Sequence, residues 1–161
     1  MLTIHILNVE QGDSVVLEYE SGGQKHYGVI DSNIPDSSDT PPALAKLSAL
    51  GAESLSFVVL THPHLDHFDG LFDILHTYQG KVGTFFAYPL GHETPGRLND
   101  LKNAYKNVCI NTESPSLKRT SKELIKLLAY VNEFVGAKNW EEPSGYDNSI
   151  YPDGFAGVDI K

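Results

Sequence analysis

The ten residues Thr61 to Gly70, THPHLDHFDG, constrain the fold more than any other part of the chain. They place three histidines and an aspartate, His62, His64, Asp66 and His67, within six residues. Just before them runs Ser56 to Leu60, SFVVL, a short continuous apolar stretch of the kind carried by a strand buried on both faces. After them Phe68, Leu71, Phe72, Leu75 and Tyr78 recur at helical spacing as far as Gly80. The cluster therefore lies where a buried strand gives way to a helix N-terminus. In extended backbone His62 and His64 project to the same side, and Asp66 and His67 approach the same place from the next turn. Imidazole nitrogens and carboxylate oxygens suit zinc, and also manganese, iron or cobalt. The bland alternative is a pair of surface histidines beside a helix-capping aspartate. It gives no common cause for four such residues at one junction.

The remaining pattern is that of an α/β chain. Leu2 to Val9, Ser14 to Glu20 and Lys25 to Asp31 are β-rich runs separated by Glu10-Gln11-Gly12-Asp13 and Ser21-Gly22-Gly23, which predicts an antiparallel meander. Ser32 to Pro42 has turn chemistry without apolar periodicity and reads as a surface loop. Pro42 opens a short helix over Ala43 to Leu50, with Gly51 as its stop. Lys81 to Tyr88 is a further strand. Beyond it we expect a helix over Leu98 to Lys106, a β-like piece at Val108 to Ile110, and a helix beginning at a Thr120-x-x-Glu123 capping box. That last helix carries the stripe Leu124, Leu127, Leu128, Val131, Phe134 and Val135, and Gly136 ends it. The final 25 residues show no periodicity and are expected to form an irregular tail or a connection.

Composition narrows the function classes. A length of 161 residues with 40% hydrophobic content fits one soluble domain over 1–161. A net charge of −9 disfavours loose association with nucleic-acid backbones, although a divalent metal can reverse the charge locally and admit a phosphate-containing substrate. With Cys109 the only cysteine, no intrachain disulfide or Cys-rich zinc site can form, so a metal must sit on histidines and carboxylates. The N-terminus lacks a basic leader and reads as a strand, and no stretch approaches the roughly 18 apolar residues of a membrane span. The expected compartment is cytoplasmic, with no membrane partner.

Thr61-His62-x-His64-x-Asp66-His67-x-x-Gly70 resembles the His-x-His-x-Asp-His signature of the metallo-β-lactamase superfamily. The resemblance implies an αββα sandwich, with His62 and His64 on a first metal and Asp66 and His67 on a second. Asp31, ending the strand GVID, matches the superfamily aspartate that braces the metal loop through hydrogen bonds, a role that competes with simple turn initiation. The opening IHILNVEQGDSVVLEYE is similar to the competence-type, DNA-uptake-associated branch, whose Gly-Gln-Gly-Asp-Ser loop here reads Glu10-Gln11-Gly12-Asp13-Ser14. Glu10 in place of glycine makes a positive φ there less expected. Asp69 also replaces a frequent glycine. The ligands that the superfamily takes from its second half, a His, a bridging Asp and a last His, find no match. His92, Asp147 and Asp153 lack the right context, and His5, His26 and His76 have no ligand-like neighbours. The chain is thus expected to be an incomplete sandwich, the N-terminal half plus additional helices.

By this resemblance the chain is a hydrolase using a metal-bound hydroxide, with two zinc ions in a complete site or manganese or iron in their place. Asp66 would also orient the nucleophile. A phosphodiester in a nucleic acid or nucleotide is the favoured substrate. A small-molecule thioester, lactone or amide is the alternative. A third reading is a non-catalytic half-domain that self-associates or pairs with a partner chain, since an incomplete sandwich exposes sheet faces and edges.

Overall fold

The computed structural model describes residues 1–87, 97–135, 140–141 and 155. Its centre is one mixed sheet in the order β1 Leu2–Ile6, β2 Val15–Ser21, β3 Gln24–Ile30, β4 Leu55–Leu60, β5 Val82–Ala87 and β6 Trp140–Glu141. The first three strands form the expected antiparallel meander, and β3 through β6 are parallel. The α/β class read from the sequence is the one observed.

Parallel neighbours need crossovers, and helices supply them. Helix α1, Pro42–Ala49, links β3 to β4. Helices α2, Leu65–Phe68, and α3, Leu71–Thr77, link β4 to β5. Proline at the start of α1 and Gly51 just past its end, at φ 71°, act as the sequence predicts. The run after the histidine cluster is two short helices instead of one. The break falls at Gly70, whose N–H donates to Ser32 O at 2.9 Å. A Cβ on Gly70 would lie 2.6 Å from Ser32 Oγ and 2.8 Å from Pro41 Cβ, so only glycine permits this approach.

Two differences lie in the later helices. Helix α4 runs unbroken over Arg97–Asn111, so the β-like piece at Val108 to Ile110 is helical. Its β-branched residues find no sheet edge to pair with, and Val108 and Ile110 stay exposed while Leu101 and Tyr105 pack on the core. Helix α5, Pro115–Tyr130, starts earlier than Thr120, because Ser114 accepts from Leu117 N–H and Pro115 takes the first helical position. It continues as a π-helical turn over Val131–Val135. The side chains of Phe134 and Val135, and residues Tyr88, His92, Gly136, Asp147 and Asp153, lie outside the described residues. Part of the expected tail is ordered into the sheet: Trp140–Glu141 pairs with β5 at Phe85 and Phe86.

One sheet face carries the cross-strand row Val16, Val29, Val58 and Phe85, packed against Leu47, Ile74, Leu75, Leu124 and Leu128 from α1, α3 and α5. The opposite face holds Leu17, Phe57 and Phe86, with Phe155 against Phe57 at 5.1 Å between ring centroids. Buried on both faces, β4 is fixed in place. Its carboxyl end, beside that of β3, is where the histidine loop begins. Among the described residues no helix is long and apolar enough to cross a membrane.

Candidate metal centre

The loop leaves β4 and winds tightly, with His64 N–H donating to His62 O at 2.9 Å and His67 N–H donating to His64 O at 3.0 Å. This winding, not extended backbone alone, gathers the three rings. His62 and His64 lie 4.6 Å apart between centroids, and His62 and His67 lie 3.8 Å apart. The loop is tied to the end of β3, since Ser32 N–H donates to His67 O at 2.9 Å.

Asp31 is the hub. It is buried, adopts φ 52°, and uses both carboxylate oxygens. Oδ1 accepts from Thr61 N–H at 2.8 Å, while Oδ2 accepts from Thr61 Oγ1 and, at 2.8 Å, from His67 Nδ1. A carboxylate only accepts, so His67 donates from Nδ1, and the neutral ring in that tautomer has its lone pair on Nε2. The single Thr61 hydroxyl proton points to Asp31. The contact of 3.0 Å between Thr61 Oγ1 and His62 Nδ1 therefore has His62 as donor, which leaves its Nε2 lone pair unused as well. One carboxylate thus sets the tautomers of two imidazoles.

Donor atoms of Asp31, His62 and His67 all lie within 4.8 Å of one another, the one such group among the described residues. The chemistry of this set fits a divalent cation: neutral imidazoles present lone pairs, and a buried carboxylate backs them. Of the other expected site residues, His64 joins the ring cluster but is exposed, and Asp66 is half-buried one turn further on. The Asp66 carbonyl accepts from Asp13 N–H at 3.3 Å, and the residue lines a groove of about 460 Å³. Neither is in the closest triad. His5 is beside Glu18 and His76 stacks on Phe72, both outside the cluster.

The groove runs between the loop after β1, residues 33–36, the histidine loop and the first turns of α5. Arg119 closes one end by donating to Asp69 Oδ2 at 2.6 Å. Burial raises the Asp69 carboxyl above its ordinary value, and the Arg119 charge draws it part of the way back. Sequence reasoning missed Arg119 and Asp13, whose carboxylate lies 3.7 Å from His67 Nδ1. No short-range signal marks Arg119, because its partner is fifty residues away. For Asp13 the signal was present in the Gly-Asp-Ser turn.

Residues 7–85 match the family model of the metallo-beta-lactamase superfamily, a span that covers β2, β3, α1, β4 and the histidine loop and ends within β5. No curated protein matches the chain, and no solved structure does. Members of that superfamily are mostly hydrolases that hold divalent metals. The match and the triad together point to a metallohydrolase.

Proposed function

We propose that the chain is a zinc-type metallohydrolase acting on phosphodiesters, with His62, His64, Asp66 and His67 as ligands and Asp31 behind them. The observation that carries this reading is the pair of Nε2 lone pairs left by the Asp31 and Thr61 hydrogen bonds. A divalent metal, when bound, lowers the pKa of a water to about 7 and stabilises charge on attacking and leaving oxygens. The chain's own residues do the rest. Asp31 keeps His67 from rotating and holds Nδ1 as the donor, so that Nε2 is the nitrogen turned to a cation. Thr61 relays the same constraint to His62. Asp66, which lines the groove, would orient the attacking water, and the groove would hold the group next to the scissile bond. The preference for a phosphodiester comes from the likeness of residues 4–20 to the competence-type branch, an argument by analogy.

A small carbonyl substrate is the second reading. The groove favours it over long nucleic acid, because among the described residues Glu10, Asp36, Asp66 and Asp69 line it against a single cation, Arg119. The test is metal content by plasma mass spectrometry, followed by turnover of bis(p-nitrophenyl) phosphate, a cyclic dinucleotide, single-stranded DNA, a thioester and a lactone. We expect metal uptake and diester cleavage. Turnover confined to the thioester or lactone overturns the diester preference, and a chain that takes up no metal overturns the hydrolase.

A further inference from the structure

Glu10 adopts φ 65°, a left-handed conformation that a side chain disfavours and that its replacement of glycine made unexpected. Two clamps hold it there. Its carboxylate accepts from Ser37 Oγ at 2.7 Å and from Asp36 N–H at 3.2 Å, so both oxygens are engaged. The carboxamide of Asn33, itself buried, donates to the carbonyls on either side of residue 10, at 3.3 Å to Val9 O and 2.7 Å to Gln11 O. The segment so fixed packs against the histidine loop. Gly12, at φ 85°, presses on Asp66 so closely that a Cβ would stand 2.0 Å from the Asp66 carbonyl oxygen. Asp13 N–H then donates to that same oxygen.

We propose that Glu10 and Asn33 are positioning residues: together they hold the Gln11-Gly12-Asp13 segment against Asp66, and so set the approach of Asp66 and His67 to a bound divalent cation. Strain kept at a non-glycine residue needs surroundings that over-determine it, and here those surroundings converge on the loop that carries the candidate ligands. The inference rests on the metal reading of that loop.

The variants Glu10→Gly, Glu10→Gln and the near-isosteric Asn33→Asp separate positioning from plain stability. Glycine removes the conformational penalty while losing the clamp, two effects of opposite sign on folding. The thermal midpoint of metal-free Glu10→Gly should therefore stay close to that of the parent. Its Zn2+ affinity, read by competition with a chromophoric chelator, should fall roughly fivefold, short of the 10–100-fold typical of groups touching a ligand directly. Gln retains acceptor capacity for Ser37 and should recover part of the loss. Asp at 33 cannot donate to two carbonyls and should weaken Zn2+ as much as glycine at 10 does, with faster amide exchange at Gly12 and Asp13. A parent that binds Zn2+ and a Glu10→Gly that matches it within twofold overturn the proposal alone. A parent that binds no Zn2+ overturns the metal reading and the proposal with it.

Discussion

The two ends of the parallel strands are built alike and differ in chemistry. At the amino end of β4 and β5 a cavity of about 620 Å³ lies among Leu44, Ala52, Tyr78 and Lys81. Hydroxyls close the structure there: Tyr27 donates to Leu50 O at 3.0 Å and Tyr78 to Ala52 O at 3.1 Å. At the carboxyl end the groove lined by Leu65 and Asp66 is smaller, about 460 Å³, yet the loop that holds those two residues also brings His62 and His67 together on Asp31. Cavity size therefore does not locate the site. What marks the candidate site is a buried acceptor, Asp31, that fixes the donors around it at the carboxyl ends of the strands, the region where open α/β sheets bind ligands. At the amino end the Tyr27 and Tyr78 hydroxyls are each matched to one backbone carbonyl.

The largest expected effect removes the hub. Asp31→Ala strips the acceptor from Thr61 N–H, Thr61 Oγ1 and His67 Nδ1 at once, inside a buried network. We expect a loss of about 3 kcal/mol of stability by urea unfolding, together with a 10–100-fold loss of Zn2+ affinity. Stability lost with Zn2+ affinity intact would make the carboxyl end as purely structural as the amino end.

Much of this contrast is legible in the residues themselves. His62, His64, Asp66 and His67 stand close in sequence, Asp31 ends a strand, and Pro42 and Gly51 bracket a helix, all signals within a few positions. What was not legible depends on distant partners. The positive φ of Glu10 needs Asn33, Asp36 and Ser37; the Asp69 pairing needs Arg119; Phe155 reaches the core only once β2 and β4 share one sheet, on either side of β3. Val108 and Ile110 mislead for the same reason, since local β preference has no effect without an edge to join.

A middle-sized effect divides the histidine cluster. His67 is buried and bonded to Asp31, whereas His64 is exposed. His67→Ala leaves a buried carboxylate short of a donor and opens a cavity, which should cost about 2 kcal/mol. His64→Ala should change stability by less than about 0.5 kcal/mol. Both should weaken Zn2+, measured by chelator competition. If His64→Ala binds Zn2+ as the parent does, the cation is held by the deep triad alone.

The smallest effect belongs to the amino end. Tyr78→Phe removes one hydroxyl and its bond to Ala52 O, which should cost about 1 kcal/mol at neutral pH and leave Zn2+ affinity unchanged. It should also alter the alkaline limb of stability. Burial raises the Tyr78 phenol above its ordinary value of 10.0. Below that pH neither state ionises, and the contribution is fully present. As pH rises further the unfolded chain releases the proton while the folded phenol keeps it, so stability falls until the folded group titrates. Tyr130 is shifted in the same direction and should act alike in both proteins, leaving the difference to Tyr78. Urea midpoints compared between neutral pH and pH 11 should fall less steeply for Tyr78→Phe. Equal slopes would mean that the phenol is hydrated, and that the amino end opens to solvent far more readily than the carboxyl end.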